Sequence, residues 1–265
     1  MLKIMLRLWQ VNWAEQWQYR ANLAMYLLYG LVSPIVFLSV WRSVAASQNG
    51  VKGLSANDFT TYYLALLIVD KLTSDITIHI LAYKIQDGTL SAELLRPVHP
   101  ILTNTLMYNL AFKALTFIVL LPIWGFLYLL FRPDFSSVVP GHLLLALPAI
   151  VAGFAINFLM GSIITCVGFW TTRVYALSEF VFAFAQLFGG VFVPLTLLPA
   201  FAQQIAQFLP FQLFLYFPIE LILGRLNSNQ ILRNFTLQAV YLVIALLAFE
   251  WIWREGLKRF SAVGA

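Results

Sequence analysis

Long apolar stretches alternate with short polar connections along most of the chain. Six stretches reach the length of about 20 residues that a helix needs to cross a bilayer. They cover residues 21–41, 59–81, 104–131, 142–170, 174–199 and 231–252. Because backbone hydrogen bonds must be satisfied internally in lipid, the pattern predicts six transmembrane helices. In the fourth stretch, Ala149 and Gly153 are four residues apart, and such small side chains allow two helices to approach closely.

The first twenty residues show a different pattern. Apolar side chains recur at helical spacing on one face, and polar side chains fill much of the remainder. The apolar face consists of Leu2, Leu6, Trp9, Trp13 and Trp17. No unbroken apolar core or small-residue cleavage site is present, so a signal peptide is not indicated. The pattern predicts an amphipathic helix over residues 1–20 that lies in the headgroup layer.

Residues 200–230 are apolar but are interrupted by Pro210, Pro218 and Glu220. Reading them as a seventh span would move the cations of the C-terminal segment to the opposite side of the membrane. We therefore expect an extracytoplasmic segment of two short re-entrant helices, since irregular backbone at membrane depth is tolerated where protein or a cavity covers it. Together with Pro194 and Pro199, these residues form a candidate outer gate.

The distribution of Lys and Arg predicts the orientation. With six spans, both termini share one side, and nine of the sixteen Lys and Arg residues fall there. Five fall on the other side, and Lys71 and Lys113 lie within spans. The richer side is cytoplasmic by the positive-inside rule. Both termini and the 82–103 connection are therefore expected in the cytoplasm.

Composition supports the membrane assignment. Of the 265 residues, 61% are hydrophobic and only 10% are charged, whereas about 25% are charged in soluble domains. The sequence thus predicts a single all-α integral membrane domain spanning residues 1–265. The net charge of +5 follows from topology rather than from a nucleic-acid surface. The single cysteine, Cys166, excludes an intrachain disulfide.

The sequence lacks the motifs of common catalytic sites. There is no P-loop, no H-E-x-x-H, no pair of cysteines and no G-x-S-x-G. The three histidines, His79, His99 and His142, are scattered, so no metal or haem is expected. The chain is therefore predicted not to be an enzyme and to bind no cofactor itself.

Four charged residues lie within the predicted second and third spans: Asp70, Lys71, Asp75 and Lys113. Charges at this depth are costly and should be paired or face a cavity. Lys71 and Asp75 are four residues apart and can pair along one helix face, and Asp70 can meet Lys113. A structural role in joining helices is favoured, with a proton or substrate relay as the alternative.

The order of these features resembles the permease subunits of type-2 ATP-binding-cassette (ABC) exporters. The resemblance rests on the N-terminal helix, the six spans, GGVFVPLTLLP at 189–199 and FLPFQLFLYFPIELILG at 208–224. IQDGTLSAELLRPVHP at 85–100 and the tail GLKRFSAVGA look like a poorly characterised subgroup. Its members often occur as two different permeases beside one ATPase gene.

The resemblance implies a half-transporter that exports an amphipathic or hydrophobic cargo. A second permease, a copy or a relative, and a cytosolic ABC ATPase would be its partners, and ATP and Mg²⁺ would bind to the ATPase. Spans one, two and five would line the path. Candidates for an apolar lining are Phe182, Phe184, Phe188 and Phe192.

The resemblance also gives the 82–103 connection a role as a coupling loop that transmits closure of the ATPase to the spans. Asp87-Gly88 can turn the chain before a short helix from Thr89 to Leu95, which Arg96-Pro97 ends. Leu90 and Leu94 lie four residues apart on one face, suited to a groove on a soluble partner. An ordinary polar loop is the alternative.

Three other function classes stay open. An ATP-independent secondary transporter or channel is the main alternative, although the two halves show no internal repeat. A lipid-modifying enzyme would display a cluster of acidic or histidine side chains at one interface, and an assembly scaffold would share the partner-binding features. The expected location is the bacterial plasma (inner) membrane. The cargo and the identity of the second permease stay open.

Overall fold

The computed structural model describes residues 2–136, 138 and 140–260, apart from the side chains of residues 2, 103 and 104. The side chain of Leu2 in the predicted apolar face and the last five residues of the tail therefore lie outside the described part. The described residues form helices and no strand, apart from a single bridge between Val51 and Leu54. The predicted all-α fold is confirmed.

Twelve α-helices occur in the described residues. They are α1 Leu2–Gln18, α2 Arg20–Ser47, α3 Ala56–Thr73, α4 Tyr83–Gln86, α5 Leu90–Leu94, α6 Met107–Phe131, α7 Pro140–Cys166, α8 Val174–Phe188, α9 Ala200–Phe208, α10 Phe211–Phe214, α11 Tyr216–Ile222 and α12 Ser228–Leu257. Two π-helical segments precede α4 and α6, at Ile78–Ala82 and Ile101–Leu106.

Four described helices are long and apolar enough to cross a membrane: α2, α6, α12, and α7 with its extension to Phe169. Their apolar side chains are mostly exposed, as expected of helices in contact with lipid; only 17% of the most apolar window of α12 is buried. The other two predicted spans contain α3 and α8, which fall short of these criteria. Six crossings therefore stay a prediction.

Helix α3 lies at the centre of the molecule. It begins with a capping box, in which Ser55 and Asp58 bond each other's backbone N–H groups. Tyr62 and Tyr63 in its first half are fully buried. Trp124 of α6 donates its indole N–H to the α3 carbonyl of Leu64 at 2.8 Å. Because protein rather than lipid surrounds α3, its side chains can be more polar than those of the outer helices.

The predicted fifth span over 174–199 is not one helix, because α8 ends at Phe188 and Gly190 adopts a positive φ of 88°. The carbonyl of Gly190 accepts a hydrogen bond from the Tyr62 hydroxyl at 2.8 Å. The carbonyl of Phe192 accepts hydrogen bonds from Trp41 Nε1 at 2.9 Å and the Tyr63 hydroxyl at 3.0 Å. These side chains take the place of helical hydrogen bonds beyond α8.

Residues 200–230 contain three short helices, α9, α10 and α11, rather than the predicted two, before α12 begins. Proline fits the start of a helix because its missing N–H would have no helical partner there. Accordingly, Pro199 and Pro210 immediately precede α9 and α10, and Pro218 lies in the first turn of α11. Helices α10 and α11 are almost entirely buried, so these two helices are part of the core.

Helix α1 packs through a face that only partly matches the predicted apolar stripe. Trp9 and Trp13 are partly buried, with ring centroids 5.2 Å apart, and Gln16 is buried. Leu6 and Trp17 of the predicted stripe stay exposed. The packed face is therefore rotated from the prediction, because the neighbouring helix α6 covers one edge of the stripe.

Close helix packing joins α7 to α10 and α12. Gln238 of α12 donates hydrogen bonds to the carbonyls of Ala149 at 2.9 Å and Leu213 at 2.8 Å. A Cβ atom on Gly153 would lie 2.9 Å from the Cα atom of Phe214. The contact predicted from the small residues Ala149 and Gly153 is thus present, because a side chain at 153 would separate the helices.

We expect Gly153→Ala to lower the stability of the protein in detergent. The added methyl forces the α7 and α10 backbones apart, at a typical cost of about 1–3 kcal/mol, which exceeds the roughly 1 kcal/mol that alanine gains in a helix. Gly125→Ala in α6 is the matched control, because its Cβ would meet no atom within 4 Å. Thermal unfolding measures both; equal melting temperatures for the two variants would contradict the packing argument.

Candidate functional site

A break interrupts the predicted second span between Thr73, the last residue of α3, and the π segment at Ile78–Ala82. The span over 59–81 is therefore not one continuous helix, as the sequence pattern had predicted. Asp75 occupies the break and caps the helical turn that follows. Its Oδ1 accepts hydrogen bonds from the Thr77 hydroxyl at 2.6 Å and the Thr77 backbone N–H at 3.2 Å. This is the usual role of aspartate before a helix.

Side chains of α6 and α7 bond the backbone groups that the break exposes. Asn157 of α7 donates to the carbonyl of Thr73 at 2.9 Å. The ammonium of Lys113 in α6 donates to the carbonyl of Ser74. A positive charge is favourable here because the C-terminal end of a helix carries partial negative charge.

Asn109, one turn before Lys113 on α6, accepts a hydrogen bond from the backbone N–H of Ile76 at 3.2 Å. The same amide group donates to the carbonyl of Thr105 at 3.1 Å. The break is thus built into the packing of three helices, whose side chains bond several of its backbone groups.

The observed pairing of the charges differs from the prediction. Lys71 Nζ lies 2.8 Å from Asp70 Oδ2, in place of the predicted pair with Asp75. Lys113 interacts electrostatically with Asp75 and also with Asp70, the residue it was expected to meet. The break is the reason that Lys71 does not pair with Asp75, because it removes Asp75 from the helical face that would have placed it one turn beyond Lys71.

Two glycines leave the space that the charged side chains occupy. A Cβ atom on Gly30 of α2 would lie 2.6 Å from Lys71 Nζ. One on Gly161 of α7 would lie 2.0 Å from Asp75 Oδ2. Glycine at these two positions leaves room for the charged ends of Lys71 and Asp75, and a Cβ atom there would require those side chains to shift.

A cavity of about 560 Å³ adjoins the break. Its walls come mainly from α2, α3, α7 and α8, together with residues after α8. This agrees with the implied lining by spans one, two and five. Among the four phenylalanines expected to line a path, Phe182 and Phe192 line the cavity. Phe184 and Phe188 are absent from the lining, and Phe188 is buried in the core.

The cavity lining contains one acidic residue that the sequence argument passed over. Glu179 of α8 lines the cavity together with Asp70, Lys71, Asp75 and His79. It is the only charged residue of the predicted span 174–199, and that isolation was the signal available in the sequence. Its side chain is exposed, and it forms no ion pair among the residues that the structure describes.

The 82–103 connection folds back onto the protein. Asp87 Oδ1 accepts hydrogen bonds from the Thr89 hydroxyl at 2.7 Å and its backbone N–H at 3.0 Å, which hold the pKa of the Asp87 carboxyl below its usual value. Gly88 takes a positive φ of 79°. The predicted turn at Asp87-Gly88 is therefore present, and α5 follows it close to the predicted bounds.

The expected partner-facing pair is wrong for Leu90, which is fully buried in the protein's own core. Leu94 is partly buried against the same cluster. Exposed residues lie beyond it, where Leu95 is 89% exposed and Arg96 and Pro97 are also exposed. The apolar side of α5 had been predicted from its spacing, but that side faces the interior.

Two contacts fix this connection to the protein. Lys84 Nζ lies 2.6 Å from Glu93 Oε1 and joins α4 to α5. The ring of His99 lies 4.8 Å from that of Trp253 in α12, and burial lowers the pKa of His99. The connection is consequently held against the protein by these contacts, and Leu95 is its exposed tip.

At the opposite end of α3, Arg225 joins two acidic residues. Its guanidinium lies 2.8 Å from Asp58 Oδ1 and 3.6 Å from the buried Glu220. Burial raises the pKa of Asp58, but hydrogen bonds from Ser55 and Arg225 outweigh that effect and leave it below its usual value. Among the residues assigned to an outer gate, Pro194, Pro218 and Glu220 are buried, Pro210 is partly buried and Pro199 is exposed.

Comparison with known families identifies the chain. The family described as ABC-2 family transporter protein matches residues 31–264. No curated protein sequence matches the chain. Because the match covers most of its length, the chain belongs to the ABC-2 transporter family, whose membrane subunits are generally non-catalytic permeases that associate with an ABC ATPase.

We expect Lys113→Met to destabilise the protein by about 3–5 kcal/mol, because it removes the donor to Ser74 and leaves Asp75 without its cation. Asp75→Asn keeps a capping oxygen and removes the negative charge. The double variant should therefore be less destabilised than the sum of the two single variants. Unfolding in detergent measures this cycle, with the exposed Lys3→Met as a near-neutral control. Simple additivity would show that the two charges act independently.

Proposed function

We propose that the chain is the permease subunit of an ABC exporter. It moves an amphipathic or hydrophobic cargo outward, and a separate cytosolic ATPase drives the transport. The observation that carries this proposal is the position of the cavity. It lies beside a broken helix that leads directly into the braced 82–103 connection, so one continuous stretch of chain joins the cavity wall to an exposed loop tip.

Six crossings are supported by contacts at both ends of α8. Beyond its C-terminal end, the carbonyl of Gly190 bonds Tyr62 near the start of α3. Before its N-terminal end, the carbonyl of Thr172 accepts a hydrogen bond from Gln86 of α4 at 3.3 Å. Helix α8 thus runs antiparallel to α3, the π segment and α4. In this proposal, non-α backbone completes both crossings.

The Lys and Arg distribution supports a cytoplasmic position for the 82–103 connection and both termini. In this proposal the membrane is a bacterial plasma membrane. The segment over 200–230 then lies toward the outside. In this proposal it acts as the outer gate of the path, held closed over the cavity by the Asp58–Arg225–Glu220 contacts at the start of α3.

A second permease, a copy of this chain or a relative, completes the path. Helices α2 and α8 both line the cavity, and each also exposes large apolar side chains. Tyr29 of α2 is 83% exposed, and Phe180 and Phe182 of α8 are 63% and 56% exposed. A partner of the same architecture would cover these faces and enclose the cavity, whereas lipid would cover the remaining outer helices.

The 82–103 connection is proposed as the contact with the ATPase, with ATP and Mg²⁺ bound by that partner. Leu95 is the residue that enters the partner's surface, and Arg96 and Pro97 flank it. Asp87 and Gly88 shape the turn, while Leu90 and Leu94 hold the helix against the permease. The residues of the predicted coupling site thus divide into an inner supporting group and an outer contact group.

An ATP-independent secondary transporter is the main alternative. Broken helices in such proteins offer their free ends to ions and substrates. Here Lys113 already occupies the C-terminal end of α3, and Asp75 caps the turn that follows. The chain's own charged side chains therefore already bond the groups exposed at the break. Among the described residues, this leaves no free helix end at the break for a coupling ion, which favours the exporter over a secondary transporter.

The first test is purification of the tagged chain from its own membranes in mild detergent, with mass spectrometry and an ATPase assay. We expect a P-loop ATPase to co-purify and to hydrolyse ATP. The second permease should appear either as a distinct protein or as a second copy. A self-oligomer without ATPase activity would contradict the proposal in favour of a secondary transporter or channel.

The coupling site is tested by Leu95→Asp. A carboxylate at an exposed apolar contact should weaken retention of the ATPase about tenfold or more, without affecting folding because Leu95 makes little contact with the protein's own core. Thr172→Asp is the matched control, since it adds the same charge at another exposed position on the same side. Equal retention of the ATPase by both variants would refute the contact.

A further inference from the structure

The charges around the cavity do not balance. Three carboxylates, Asp70, Asp75 and Glu179, line it against the single ammonium of Lys71. Asp70 is paired with Lys71 at 2.8 Å. Asp75 caps Thr77 and interacts with Lys113, which lies behind it. Among the described residues, Glu179 is therefore the cavity carboxylate that no cation neutralises.

The position of Glu179 in α8 indicates why its unpaired charge matters. Glu179 lies in the second turn of α8, about 9 Å along the axis from Arg173 at the rise of a helix, in a helix that is otherwise uncharged. Unpaired charges within a membrane protein are expensive and usually face a bundle interior or a cavity that serves transport. Within the described part of the chain, Glu179 caps no backbone group, in contrast to Asp75.

Aromatic rings line the same cavity as this carboxylate. Tyr29 of α2 and Tyr175 and Phe182 of α8 line the same cavity. The His79 ring lies 6.3 Å from that of Tyr175. Aromatic faces attract cations, and cages of aromatic side chains bind quaternary ammonium groups. A volume of about 560 Å³ is within the range of small-molecule sites.

We propose that the cavity binds amphipathic organic cations, whose positive group pairs with Glu179 and whose apolar body lies against Tyr29, Tyr175 and Phe182. This inference rests on the proposed function, since it names the class of cargo that the exporter takes. It selects against anionic amphiphiles, because these would meet the carboxylate without a free cation to offset it.

Binding to the purified full chain, with any subunits that accompany it, tests this without requiring ATP hydrolysis. Tetraphenylphosphonium is the probe, and tetraphenylborate, which has nearly the same shape and the opposite charge, is its matched control. Equilibrium dialysis with protein-free micelles subtracted gives the two affinities. We expect the phosphonium to bind at least about tenfold more tightly than the borate, and Glu179→Gln to remove that preference.

Two further variants complete the test. Glu179→Asp keeps the charge and should retain the preference for the phosphonium. Glu255→Gln removes a carboxylate that pairs with Lys258 at the end of α12, and it should change nothing. Equal affinities for the two probes, or unchanged binding in Glu179→Gln, would overturn the proposal. A Glu179→Gln variant that loses its oligomeric state at unchanged phosphonium affinity would do so as well, by assigning Glu179 to the subunit interface.

This outcome is separable from the exporter assignment. If an ATPase co-purifies but the probes show no preference, the proposed cargo class is refuted and the exporter assignment is retained. If the phosphonium binds selectively but no ATPase co-purifies, the cation site is retained and the exporter assignment is refuted.

Discussion

The interruption of the central helix at Ser74–Ile76 is the constraint on which the arrangement of the site depends. In a membrane interior, an unbonded backbone group costs several kcal/mol because no water replaces the lost partner. The groups exposed at this break are bonded by Asn157, Lys113 and Asn109 from two neighbouring helices. Helices α6 and α7 are thereby fixed against α3 at one level, and the cavity adjoins that level.

The same requirement explains polar residues that would otherwise suggest chemistry. Tyr62, Tyr63 and Trp41 bond the carbonyls that follow α8, and Gln238 bonds carbonyls of α7 and α10. Each of these side chains serves the backbone, and Asp70 and Lys71 serve each other's charge. Glu179 serves neither among the described residues, and this contrast gives it more weight than its single charge would carry alone.

The sequence was sufficient for the features that hydrophobicity controls. The helical fold, the apolar stretches, the turn at Asp87-Gly88 and the family all followed from composition and order. The break in the second span did not, because SDI at 74–76 contains no proline or glycine and Asp75 could equally have remained in a helix. Its cause lies in Asn109, Lys113 and Asn157, which are distant in sequence.

The sequence also did not determine what each helix face contacts. Helical periodicity placed Leu90 and Leu94 on one side of α5, but it could not determine whether that side contacts a partner or the chain's own core. The core contributed by α7 and α12 covers that side. Likewise, the spacing of Lys71 and Asp75 predicted a pair that a continuous helix would have formed. Glycines 30 and 161, on other helices, provide the space for the arrangement observed instead.

The contacts that hold the 82–103 connection against the protein determine which residues would move if a partner displaced Leu95. Leu90 is buried and Lys84 is bound to Glu93, so α5 and α4 respond together rather than bending at the loop. Helix α4 continues from the π segment at Ile78–Ala82, which leads to the break. A helix resists bending through its repeated backbone hydrogen bonds, whereas the break is held by single side-chain contacts. Displacement at Leu95 would therefore be accommodated at residues 74–76, beside the cavity, before it could deform the buried half of α3.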